Sequence, residues 1–188
     1  MDHRDALSLI DTSYWQTLIT PTHWADLGCG SGTFTLALAE LLPPGSSIDA
    51  IDLHPSVPAT GMITPRAADF TTLQFSKPQP NTQARAPIPA RAWPGHEPLS
   101  YDGILMANSL HYVSDQQTFL KNLHTNALLL IEYDIDMPVA RWVPYPLSFA
   151  TATRLLKSAG YPRIQKLGTQ PSAFGRSDIY AALALPQE

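Results

Sequence analysis

The chain has 188 residues, 44% of them hydrophobic and 15% charged, a balance that excludes a disordered polymer and suits one folded domain, 1–188, with a full-sized core. A formal net charge of −4 without a Lys/Arg run argues against a nucleic-acid partner, whose phosphates demand a basic patch. No apolar segment approaches a membrane span, and Met1-Asp2-His3-Arg4-Asp5 lacks a signal peptide's basic start and apolar run. The single cysteine, Cys29, rules out an internal disulfide, so the expected setting is cytoplasmic.

Ala6, Leu7, Ile10 and Trp15 recur at helical spacing and predict a short amphipathic helix over 5–15. Trp24 and Ala25 lead a strand that ends near Leu27. Asp26-Leu27-Gly28-Cys29-Gly30-Ser31-Gly32 then turns the chain into a helix from about Thr33 to Leu42, which Pro43-Pro44-Gly45 stops. Glycines let the backbone take positive φ and let a ligand come close, while the helix start aims unpaired N–H groups at it. Such a corner predicts a nucleoside-containing cofactor. Cys29 reads as a small residue tolerated in a tight turn rather than a reactive thiol.

Ser47 to Asp52 reads as a second strand, and a weaker third runs from Met62-Ile63 to near Ala68-Asp69-Phe70. Tyr101 to Asn108 is the fourth, Gln116 to Leu123 suits a helix, and Ala127 to Tyr133 is a fifth strand apolar enough to be buried on both faces. A helix from about Ser148 to Ala159 ends at Gly160, with Pro162 beyond. Arg163 to Leu167 and Ile179 to Leu185 close the chain without a helix between them, and the loop from Gly168 to Ser177 suits an antiparallel hairpin. The alternation predicts an α/β doubly wound, mostly parallel seven-stranded sheet with helices on both faces. Ser76 to Pro98, with six prolines and Arg85, Arg91 and Trp93, breaks the pattern. It reads as an insertion, either a surface loop or a substrate lid.

A dinucleotide fingerprint needs glycine or alanine three positions after Gly30, where this chain has Thr33. Its glycines alternate instead, with Asp26 two positions before the first. This resembles the first motif of class I S-adenosylmethionine (SAM)-dependent methyltransferases. With the strand order and closing hairpin, the resemblance spans Trp24 to Leu185. It implies the class I methyltransferase fold, SAM as cofactor with its amino-acid tail against Gly28, Cys29, Gly30 and Gly32, and S-adenosylhomocysteine (SAH) as product.

In open α/β sheets, ligands sit at the carboxyl ends of the strands, which selects residues independently of any family. Asp52, twenty positions after Gly32, can accept both ribose hydroxyl hydrogens, with Leu53 beside it. The resemblance assigns Asp69 to the adenine amino group and Phe70 to the ring, with a helix-capping or turn role as the lesser alternative for Asp69. Asp26 orients the glycine loop, receives the cofactor's amino group, or caps the loop's own N–H groups. By resemblance, the Asn108 carbonyl meets the cofactor's ammonium group. Asn108-Ser109-Leu110-His111-Tyr112 lacks the paired prolines of enzymes that methylate exocyclic base amines, which argues against that substrate class.

His111 is the leading general-base candidate, with a structural core histidine as the alternative. The other histidines show no paired ligand spacing, and no metal is proposed. Glu132-Tyr133-Asp134 ends strand five facing the pocket. Beyond it, Arg141, Trp142, Tyr145 and Phe149 lie on a segment stiffened by Pro144 and Pro146 and suit a substrate wall, with Phe149 also suited to the core. Arg176, in the hairpin loop, is a candidate for an anionic substrate group.

The expected function is SAM-dependent methyl transfer to an O, N, S or C nucleophile of a small-molecule acceptor, resembling the broad group that includes quinone-biosynthesis methyltransferases. The competing readings are a non-catalytic SAM-binding sensor or partner subunit, and a protein or RNA methyltransferase. The few residues before the glycine loop leave little chain for an N-terminal cap, which leaves room for a homodimer or a partner subunit.

Overall fold

Five consecutive buried residues, His23–Leu27, form β1, the strand about which the sheet is organised. The computed structural model describes residues 1–78, 98–172 and 177–187. Strand β1 pairs in parallel with β2 (Ser47–Asp52) on one side and β4 (Gly103–Ala107) on the other. Strand β3 (Ile63–Ala67) extends the β2 side and β5 (Ala127–Tyr133) the β4 side, both parallel. Strand β7 (Asp178–Leu185) runs antiparallel to β5, and β6 (Arg163–Pro171) antiparallel to β7, completing seven strands in the order β3-β2-β1-β4-β5-β7-β6. This is the expected α/β architecture with its closing hairpin.

The side-chain period of two divides the core into two layers. Leu129 and Ile131 of β5 pack with Leu9 and Ile10 of α1 (His3–Ile10) and Phe34, Ala37 and Leu38 of α2 (Thr33–Leu41). Leu128 and Leu130 pack on the opposite face with Leu120 of α3 (Gln116–Lys121) and Ala152 and Leu156 of α4 (Phe149–Ser158). Asp115 and Ser148 cap α3 and α4 by accepting from the N–H groups of Thr118 and Thr151. No helix among the described residues is long and apolar enough to cross a membrane.

Several boundaries differ from the sequence pattern. The opening helix stops at Ile10, and Trp15 sits in a separate 3₁₀ turn, Ser13–Thr17, where its indole donates to the Ile10 carbonyl at 2.8 Å. Strand β3 ends at Ala67, before Asp69 and Phe70, which belong to a 3₁₀ turn, Phe70–Thr72. Pro65 is accommodated because β3 is an edge strand. Tyr101 precedes β4 rather than opening it, and Asn108 lies beyond its end with a positive φ of 54°. Strand β6 continues through Gly168 past a register shift to Pro171, so the hairpin connection is 172–177 rather than starting at Gly168. Main-chain pairing with β7 extended the strand beyond its apolar run.

Beneath β1 and β2, Asp49 is fully buried and collects Arg66 Nε at 2.9 Å, Tyr101 Oη at 3.0 Å and His23 Nε2 at 3.3 Å. This cluster ties three strands to the segment before β4. The proline-rich insertion leaves and re-enters at one point: Ser76 N–H donates to the Leu99 carbonyl and Leu99 N–H to the Gln74 carbonyl, both at 2.8 Å. Residues 79–97, including Arg85, Arg91 and Trp93, lie outside the described residues.

Gly103 opens β4 directly under Trp24, whose indole occupies the space a β-carbon would need. Gly103→Ala is expected to destabilise the protein by about 1–3 kcal/mol through overpacking, read as a lower urea midpoint at unchanged m-value.

Candidate active site

The connections from β1 and β4 leave toward opposite faces, β1 through α2 to β2 and β4 through α3 to β5, so a crevice opens between their carboxyl ends. The loop after β1 enters it with Gly28, Gly30 and Gly32 at φ of 85°, 52° and 84°. Two of these have neighbours that forbid a side chain. A β-carbon on Gly28 would stand 2.5 Å from Ser109 Cβ, and one on Gly32 would run into Val57. At Gly30 a β-carbon would meet nothing within 4 Å. The loop is therefore clamped at both ends and open at its middle. No side chain caps α2 at Gly32, so the helix start is left for another acceptor.

Charged and polar groups surround this opening. Asp52, at the end of β2, accepts from Gly30 N–H at 3.0 Å through one oxygen and from His54 N–H at 2.9 Å through the other. Leu53 beside it is exposed despite its apolar side chain. Asp26 is buried; its Oδ2 accepts from Thr35 Oγ1 at 2.5 Å and its Oδ1 has no partner among the described residues. Burial pushes the Asp26 carboxyl up to about 7, against the Thr35 hydrogen bond and with a smaller contribution from Asp52. Asn108 Oδ1 is likewise enclosed without a partner. The same burial, with Asp26 and Asp52, pushes the Cys29 thiol up to about 12, so Cys29 stays a protonated thiol in the turn.

Asp69 is exposed, and its Oδ1 accepts from Thr71 N–H at 2.9 Å and Thr71 Oγ1 at 2.6 Å, the turn-capping alternative. Phe70 does reach the corner: its Cε1 lies 3.4 Å from where a Gly28 β-carbon would be, and its ring meets Phe119 edge-on at 5.9 Å.

On the other side of the crevice, His111 is 2% exposed in a 3₁₀ turn after β4, Leu110–Tyr112. Its Nδ1 is 2.6 Å from Glu132 Oε2, and its backbone N–H donates to Glu132 Oε1 at 3.1 Å. The Tyr112 and Tyr133 rings stand 4.4 and 6.0 Å from the imidazole. Tyr145 N–H donates to the His111 carbonyl at 3.1 Å, and Gln116 Nε2 holds the Tyr145 carbonyl at 2.8 Å. Tyr133 and Tyr145 are therefore brought to the His111 turn.

Arg141 and Trp142 are exposed on a tight turn between the bridged residues Val139 and Val143, with Arg141 at φ 65°. Phe149 instead packs on Tyr180 at 5.5 Å under Lys166, and belongs to the core rather than to a substrate wall. Arg176 lies outside the described residues. No group of three His, Cys, Asp or Glu side chains suited to a metal is found among the described residues.

A family model described as a methyltransferase domain matches residues 25–129, more than half of the chain, from β1 into β5. The chain belongs to this methyltransferase family. Its fold is that of the class I SAM-dependent methyltransferases, as three solved structures show. The N-terminal domain of EvdMO1 with SAH bound superposes with a TM-score of 0.62 at 19% identity, over 100% of this chain and 82% of that one. The 1,6-didemethyltoxoflavin-N1-methyltransferase of Burkholderia thailandensis, bound to 1,6-didemethyltoxoflavin and SAH, gives 0.60 at 18% identity, over 98% of this chain and 78% of that one. The plantazolicin methyltransferase BpumL in complex with SAH gives 0.59 at 15%, over 98% and 84%. Against a longer EvdMO1 structure, this methyltransferase spans only 41% of the chain. A comparison with curated proteins found no match.

The site of this methyltransferase fits SAM on its own chemistry. Asp26 Oδ1 and Asn108 Oδ1 are enclosed acceptors without donors, which an ammonium group would satisfy. Gly30 leaves space at an uncapped helix start, and Asp52 presents a carboxylate at the edge of that space.

Sequence reasoning missed Ser109, whose Oγ donates to the Leu27 carbonyl at 2.5 Å, and Thr35 and Val57, because their roles exist only after distant segments meet. Glu132, expected to face the pocket, is fully buried against His111, and its charge directly after the apolar run Ala127–Ile131 was the signal for a specific partner.

The raised Asp26 carboxyl carries a stability cost with a definite sign. Above the ordinary carboxylate range the unfolded chain has released this proton while the native state still holds it, so stability falls as pH rises from about 4 to about 7. Between pH 5 and 8 the loss is on the order of 2–3 kcal/mol relative to Asp26→Asn, which lacks the titration. Urea unfolding of both proteins at the two pH values checks this.

Proposed function

We propose that this methyltransferase moves the methyl group of SAM to a small-molecule acceptor and releases SAH, with 1–188 acting as a single domain in the cytoplasm. The observation that carries the proposal is the glycine corner, clamped at Gly28 and Gly32 and open at Gly30, with unpaired oxygens of Asp26 and Asn108 enclosed beside it. The small-molecule assignment draws support from the neighbour crystallised with 1,6-didemethyltoxoflavin and from the aromatic side chains around His111. The lone cysteine, held as a thiol, suits a reducing compartment.

In this reading Gly28, Cys29, Gly30 and Gly32 supply the backbone cradle, and Asp26 and Asn108 receive the ammonium group. Asp52 takes the ribose hydroxyls, with Leu53 and Phe70 against the adenine. Asp69, with one oxygen engaged by Thr71, keeps the other for the adenine amino group. Tyr133, Arg141, Trp142 and Tyr145 line the acceptor side, and His111 is the base. SAM supplies a methyl group already activated by the positive sulfonium. The protein's work is then to hold the acceptor in line at about 3–3.5 Å and to remove its proton where one must leave.

Asp52→Ala is expected to weaken SAM binding by at least about tenfold in calorimetry, the scale of one or two lost charge-assisted hydrogen bonds, while the unliganded melting temperature stays within a few degrees. Unchanged affinity would refute the ribose assignment. Incubation with methyl-labelled SAM and a metabolite extract then tests the activity, because a small molecule must gain the label.

A further inference from the structure

At the amino end of the sheet, opposite the crevice, lies a cleft of about 580 Å³, within the size range of small-molecule sites. Thr125 and Asn126, which lead into β5, line it with Tyr161, beyond α4, and Pro186, beyond β7. Strand β5 has seven residues, so about 20 Å of strand separates this cleft from the crevice. Its floor is fixed. Thr125 and Tyr161 are buried, and Thr125 Oγ1 donates to the Tyr101 carbonyl at 3.1 Å and its N–H to Tyr161 Oη at 3.4 Å. His124, directly before them, takes a left-handed φ of 46°, uncommon for a residue other than glycine. Lys77 is tethered at the opposite wall, where Ser100 Oγ donates to its carbonyl at 3.3 Å.

The lining includes three basic side chains, Lys77, Lys121 and His124, and no acidic one. None of the three has a side-chain hydrogen bond or ion pair among the described residues. Arg163 Nε donates to the Pro186 carbonyl at 3.1 Å and brings a further cation to the rim. The nearby acids are engaged elsewhere. Asp102 lines a smaller neighbouring cleft and accepts from His23 N–H at 2.8 Å, and Asp115 caps the far end of α3. A lysine in a last turn complements the helix dipole, which accounts for Lys121 on α3. It does not account for Lys77 or His124, which lie in no helix, and the last carbonyls of α4 already accept from the N–H groups of Ala159, Gly160 and Tyr161. Like charges gathered around one opening repel, and no described lining residue supplies a counter-charge.

We propose that this cleft is a second ligand site, separate from the methyl-transfer crevice, and that its ligand is a small organic phosphate. Two ammonium groups match the charge of a phosphate dianion, which lysine binds as a point charge. The His124 imidazole and the Asn126 and Gln187 amides add N–H donors. The volume exceeds what a bare phosphate fills, and Pro78, Pro186 and Tyr161 offer an apolar side for the organic part. A nucleic acid fits less well, because the cations surround a concave opening rather than forming a strip, on a chain of net charge −4. The site does not depend on the methyl acceptor, and its ligand does not compete with SAM.

Amide NMR of the full chain titrated with inorganic phosphate, ribose 5-phosphate and fructose 1,6-bisphosphate at constant ionic strength tests the site without any methyl acceptor. Saturable shifts are expected at His124, Asn126 and Gly160, with a dissociation constant of about 1 mM or below for at least one sugar phosphate and at least about tenfold weaker binding of inorganic phosphate. Replacing both Lys77→Ala and Lys121→Ala is expected to weaken sugar-phosphate binding at least about tenfold, with SAM affinity in calorimetry unchanged as the sign of an intact fold. Lys157→Ala, which removes a lysine of α4 outside the lining, is expected to leave it within about twofold. No saturable shift up to about 10 mM, or an equal loss in Lys157→Ala, overturns the site. Shifts at Gly28 and Gly30 in place of these amides put the anion in the cofactor crevice and overturn it as well. Equal affinity for inorganic phosphate, or tighter binding of an RNA oligonucleotide at the same amides, overturns the organic-phosphate assignment.

Discussion

The site depends on how closely two loops approach at the carboxyl end of the sheet. Ser109, after β4, donates to the last carbonyl of β1 at 2.5 Å, and Gly28 has no room for a side chain against it. This contact fixes the floor of the crevice, because β1 and β4 are hydrogen-bonded neighbours whose connections depart to opposite faces. On the far side Val57 presses Gly32 in the same way. Between these supports a β-carbon at Gly30 would meet nothing within 4 Å, and close packing on either side is what makes the gap a defined shape.

Three buried carboxylates show how the same side-chain chemistry is put to different ends. Asp49 is surrounded by Arg66, Tyr101 and His23, and its charge is spent on cross-linking strands. Asp26 is bonded on one side only and remains poised near neutrality, the state expected of a group whose second partner arrives with a ligand. Glu132 commits both oxygens to one histidine. Burial is common to all three, and the number and direction of their donors distinguish them.

The two sides of the crevice differ in character. The glycine side is polar and rigid, built on main-chain bonds such as Gly28 N–H and Cys29 N–H to the Ile51 carbonyl. The His111 side carries half-exposed aromatic residues, with Tyr145 tied back to His111 and Gln116. A common cofactor on the rigid side and a variable acceptor on the aromatic side is a division that the class I fold permits, since loops at strand ends can change without disturbing the sheet.

Local sequence determined the elements whose cause is local. The alternating glycines after β1, the proline stop after α2, Gly160 with Pro162 beyond α4, and the apolar run of β5 all placed their segments within a residue or two. The spacing from Gly32 to Asp52 was legible because strand, turn and helix lengths are set by main-chain geometry. Boundaries failed where pairing overrode propensity, as in β6 beyond Gly168, or where a side chain satisfied a turn, as with Asp69. Asp26, Asn108 and His111 could be named from sequence, but not whether each was satisfied. An unpaired oxygen or a 2.6 Å imidazole–carboxylate contact depends on residues far apart in the chain, and only tertiary packing brings those atoms together and excludes the water that would otherwise pair with them.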